Sequence, residues 1–81
     1  MNTLKELAQK ETYYAGLFRL VDNILTQVDN KQLSVKSALE MLNGYCDDFS
    51  KKMYTKKHLE ILRTDMRLKF IEASNAYTQA R

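Results

Sequence analysis

The residues able to do chemistry in this chain are few and scattered. His58 is the only histidine and Cys46 the only cysteine. A metal site would need further ligands at fixed spacing, and the chain has no His-x-x-x-His, no Glu-x-x-His and no second cysteine. His58 follows Lys56 and Lys57, which reads as a surface position near a helix start. Cys46 shares an apolar helical face with Leu42 and Phe49 and has no histidine near it in sequence, so it reads as a small core residue and not as a nucleophile. Asp47 and Asp48 are adjacent, and on a helix adjacent side chains point about 100° apart, which suits a solvated face better than a cation site. The only glycines, Gly16 and Gly44, are isolated, so no phosphate-cradling loop exists. The sequence therefore reads as non-enzymatic, with no catalytic, cofactor-binding or metal-binding residues.

One charged motif remains. Lys51, Lys52, Lys56 and Lys57 bracket Tyr54, and basic residues interleaved with an aromatic can hold phosphates and stack on a base. This is the alternative reading, a small basic nucleic-acid-binding protein using the Lys51 to Lys57 cluster; the plainer reading is a solvated junction. A helix-turn-helix around Ser34 to Tyr54 would need a short, sharply turned helix pair that the sequence does not display. A basic amphipathic helix lying on anionic lipid is disfavoured by Glu60 and Asp65 on the same helix.

These residues must be positioned by helices. With no proline and only two glycines in 81 residues, and with Leu, Ala, Lys, Glu and Gln abundant, little material is left for sheets. The chain is expected to form a single all-α domain over residues 1–81, an elongated bundle of three main helices at about 4–28, 35–53 and 56–79. The expected order is up-down-up, with dimerisation available to complete the core. The interior is drawn from Leu7, Phe18, Val21, Leu25, Leu39, Leu42, Phe49, Leu62, Met66 and Phe70.

Local signals support these limits. Thr3 and Glu6 have the capping-box spacing, and Ser34 and Thr55 are the natural caps for the second and third helices. Gly16 lies inside the first helix, where it costs about 1 kcal/mol against alanine and is expected to permit a close approach. Asn43-Gly44 is a turn-favouring pair, but the apolar register of the second helix runs through it without slipping, so that helix is read as continuous.

The last third, Thr55 to Arg81, carries the most information. Leu59, Leu62, Met66, Phe70, Ala73, Tyr77 and Ala80 follow steps of three and four and make one core-facing stripe. Ile61, Leu68 and Ile71 lie roughly 150 to 200° away from it. Lys56, Arg63 and Arg67 form a basic ridge between the two sets. The first helix shows a similar apolar surplus at Leu17, Leu20 and Ile24, so the surplus faces either cover each other within one chain or await a partner.

Net charge is +3, distributed as −2 over Met1–Ser50 and +5 over Lys51–Lys69. The functional expectation is a small protein-binding regulator or adaptor that inhibits or sequesters a partner protein, or binds itself as a homodimer. Its expected binding residues are Ile61, Leu68, Ile71, Lys56, Arg63, Arg67, Leu17 and Ile24. Small helical proteins of this size include phage antiholins, bacteriocin immunity proteins, antitoxins and anti-defence proteins; that comparison is one of size and class, and no motif selects among them. With no apolar run near the ~18 residues of a membrane span, no signal segment and a lone cysteine, a cytoplasmic location is expected.

Overall fold

The computed structural model describes residues 3–45 and 55–81. The described residues form three helices, α1 (Leu4–Asp29), α2 (Val35–Tyr45) and α3 (Lys56–Ala80), and include no strand. The expected limits of the first and last helices agree with these to within one residue. Of the second helix, 35–45 is confirmed and remains helical through Asn43 and Gly44; the stretch to Met53, with Cys46, Asp47, Asp48, Phe49, Lys51, Lys52 and Tyr54, lies outside the described residues.

Each helix begins on the expected cap. The Glu6 amide donates to Thr3 Oγ1 at 3.2 Å, and the Ser37 amide donates to Ser34 Oγ at 3.1 Å. At the start of α3 the chemistry is less usual, because His58 takes the place of the glutamate of a capping box: its Nδ1 accepts the Thr55 amide at 3.2 Å. Thr55 Oγ1 lies 3.0 Å from the same nitrogen.

α1 ends in a Schellman arrangement. The Gln32 amide donates to the Gln27 carbonyl at 2.9 Å and the Lys31 amide to the Val28 carbonyl at 3.1 Å. This places Lys31 in the left-handed region, with φ at 60°. Glycine usually occupies that position, and a lysine gives no sequence signal for it.

α3 packs along α1, and α2 touches the pair at one end. Asp29 pairs with Lys56 and Asp22 with Arg63, while at the far end Lys10 and Tyr14 share a groove with Lys69, Ala73 and Ala76. Residue numbers fall along α1 as they rise along α3, so the two long helices are antiparallel. This corrects the up-down-up expectation, which would set them parallel. The physical reason is that α3 begins beside the end of α1, where Lys56 meets Asp29, and runs back along it. The molecule is elongated, 42 × 22 × 16 Å.

The buried cluster lies at the α2 end. Val21, Ile24 and Leu25 of α1, Ala38 and Leu42 of α2, and Leu59, Leu62 and Met66 of α3 pack together. Toward the other end Ala73 is the buried residue, and Leu7, Phe18 and Phe70 of the expected interior are only half-buried. Leu39 is also half-buried, packed against the cluster, and Phe49 lies outside the described residues. Gly16 approaches nothing: a Cβ built there meets no atom within 4 Å. The expected close contact at that glycine is therefore corrected, since it faces open space on an exposed stretch of α1.

Candidate interaction face on the third helix

The basic ridge and the second apolar stripe, both predicted as binding residues, separate in the structure. Lys56 contacts Asp29 directly and also lies 3.9 Å from Glu60. The hydrogen bond from its ammonium to the Asp29 carboxylate, followed by the charge of that carboxylate, raises its pKa above the ordinary lysine value. Arg63 lies 3.7 Å from Asp22. Two of the three ridge residues thus clamp α3 to α1. Arg67, exposed, takes part in no ion pair among the described residues and lines a groove with Phe18, Asp22, Arg63 and Thr64.

The predicted surplus on α1 is resolved within the chain. Ile24 is 1% exposed and sits in the central cluster, so its assignment as a binding residue is corrected: the arc of α1 is wide because both α2 and α3 pack on it. Leu17 and Leu20 are half-buried against the same cluster, which leaves Leu17 little surface to offer a partner.

On α3 the outcome is the opposite. Ile61 is 56% exposed, Leu68 53% and Ile71 41%. Met66, Leu62 and Leu59 on the other side of the helix are buried, so the helix is apolar on two opposite faces and only one is used. With Lys57, Glu60, Thr64 and Asp65, the exposed Ile61 and Leu68 line a shallow open depression along the outer surface. The Thr64 hydroxyl donates to the Glu60 carbonyl at 3.2 Å. The idea that α1 and α3 bury each other's second faces is therefore not how this fold works.

Of the cluster proposed for nucleic acid, only Lys56 and Lys57 lie within the described residues; Lys56 is engaged with Asp29, and Lys57 is exposed one turn before Ile61, at the N-terminal end of the apolar stripe. Among the described residues no group of three or more histidine, cysteine or acidic side chains is placed to hold a metal ion, and every buried side-chain nitrogen and oxygen has a partner. No helix of the described residues is long and apolar enough to cross a membrane.

Sequence reasoning missed the capping role of His58 and the two interhelical ion pairs. The pairs had a signal: Asp22 and Asp29 are seven residues apart, as are Lys56 and Arg63. Comparison of the chain with protein-family models, with curated proteins and with solved structures finds no match.

Proposed function

We propose that this chain is a non-enzymatic interaction module that docks a protein on the outer face of α3, and by occupying that partner's surface sequesters or inhibits it. The observation that carries this reading is the exposure of Ile61, Leu68 and Ile71 in one stripe on a helix whose other face is already packed. Large apolar side chains scattered singly are ordinary on a protein surface, but three in line with a helical repeat form the type of surface that a second helix covers. Burying one such side chain contributes about 1.5–3 kcal/mol, so three supply a useful part of a docking energy.

Self-association through the same stripe belongs to this proposal, since a small domain with an unused apolar face buries it most economically in a symmetric pair. The nucleic-acid alternative finds less support, because Lys56 is already neutralised by Asp29. It predicts binding that weakens steeply with salt and loses slope when Lys51, Lys52 and Lys57 become alanine.

The docking reading is tested with the Ile61→Asp/Leu68→Asp double variant, which keeps the core intact and places two charges on the stripe. The expected outcome is an unchanged helical circular dichroism signal with loss of whatever the wild-type chain binds, itself included. Identical binding by a folded double variant would sink the proposal.

A further inference from the structure

Resting on the docking reading above, we infer that the occupant of the outer face of α3 is a second copy of this chain, packed with its α3 parallel and in register. The first ground is spacing. Ile61, Thr64, Leu68, Ile71 and Asn75 follow one another by three, four, three and four residues, the a and d repeat of a two-stranded coiled coil. Ile61, Leu68 and Asn75 then occupy a positions, and Thr64 and Ile71 occupy d positions. The centre line of the stripe is uncharged from Ile61 to Asn75; the preceding d position is Lys57, one turn outside that length, so the seam from Ile61 onward can meet itself without burying a charge.

Charge complementarity is the second ground. Four charged side chains flank the seam from Glu60 to Glu72. Glu60 and Asp65 are each held by a lysine of their own helix, Lys56 at 3.9 Å and Lys69 at 3.7 Å. The other two, Arg67 and Glu72, take part in no ion pair among the described residues. They carry opposite charge and lie five residues apart, which is the g to e separation that joins neighbouring strands of a parallel pair. Arg67 of each copy therefore meets Glu72 of the other, twice in the dimer.

An antiparallel arrangement is worse. The antiparallel register that brings Ile61 against Ile71 and Thr64 against Leu68 also sets Asp65 opposite Asp65 and Arg67 beside Arg67 of the second copy. In the parallel register the like-charged contact is Glu60 with Asp65, and Lys69, 3.7 Å from Asp65, partly offsets it. Asn75 adds selection, because an asparagine at an a position pairs with its counterpart only when two parallel strands are in register.

The test is light scattering and sedimentation of the intact chain. A dimer is expected at concentrations of the order of 100 μM, as fits a small interface. Leu68→Asp should return it to a monomer. Arg67→Glu should weaken dimerisation roughly tenfold, and Arg67→Glu/Glu72→Arg should restore it. Asn75→Cys in a Cys46→Ser background should cross-link on oxidation. In the antiparallel register the two 75 positions would be about 27 Å apart and could not be bridged. A monomer at every concentration, a dimer indifferent to Leu68→Asp, or a dimer that fails to cross-link at position 75 overturns the inference. A monomer whose Ile61→Asp/Leu68→Asp variant still loses a different bound protein overturns only the self-pairing. Binding that survives the double variant removes the docking reading itself.

Discussion

At Lys31 a side chain sits where backbone geometry favours none. A left-handed residue with a Cβ costs roughly 1–2 kcal/mol, while glycine adds back part of this through the freedom of the unfolded chain. Lys31→Gly is expected to stabilise the fold by about 1 kcal/mol net, read as a higher urea midpoint with an unchanged slope. Lys56 gives a pH dependence of definite sign. Its pKa is raised in the folded state by Asp29, so its contribution is complete below the ordinary lysine value, near 10.4, and is lost as pH climbs through the higher folded value. The melting-temperature difference between the wild type and Lys56→Met should be constant from pH 7 to about pH 10 and shrink above it. A difference that grew with alkalinity would show the pair to be absent. Neither feature could be read from the residue type alone: the lysine at the helix end resembles any turn lysine, and an ion pair between distant positions depends on how the helices run.

For α1 and α3, length and phase were legible in the sequence, and for α2 its start, because a 3.6-residue repeat with caps at Thr3, Ser34 and Thr55 leaves little freedom. Both stripes of α3 were visible too, and Leu59, Leu62, Met66 and Ala73 do face inward. Direction was not legible, since periodicity describes each helix about its own axis and is silent on how two axes run. The interhelical ladder of Asp29 with Lys56 and Asp22 with Arg63 supplies that direction. The fate of the surplus apolar residues depends on it as well: Ile24 faces a neighbour and Ile61 does not. Gly16 belongs to this scale, because a helical glycine in open space only adds disorder to the unfolded state. Gly16→Ala is expected to gain about 0.5–1 kcal/mol in denaturant unfolding, and a loss would reveal a contact that the fold does not show.

In the whole molecule, the exposed apolar stripe was legible, since Ile61, Leu68 and Ile71 stand out by spacing, but grouping Lys56 and Arg63 with it overlooked the acids of α1 that claim them. The central cluster governs stability. A domain of this size has about 4–12 kcal/mol to lose, and truncating one fully enclosed side chain removes about 2–5 kcal/mol of it. Leu59→Ala, at the contact of all three helices, is therefore expected to leave the chain largely unfolded near 37 °C by circular dichroism, whereas Ile61→Ala two residues later should scarcely move the midpoint.

The confinement of that cluster to the α2 end makes the molecule unequal along its length. Around Leu25, Leu42 and Leu59 three helices exclude water, and at the other end two helices meet with Ala73 buried and Leu7, Tyr14 and Phe70 half-buried. Amide hydrogens should accordingly exchange in a gradient, slowest around Leu62 and fastest beyond Phe70 and before Tyr14. The outer stripe runs from the protected end into the unprotected one. Whatever docks there would slow exchange most in the C-terminal half of α3, far from the core, so that binding would be recorded as the firming of the end that folds least well alone.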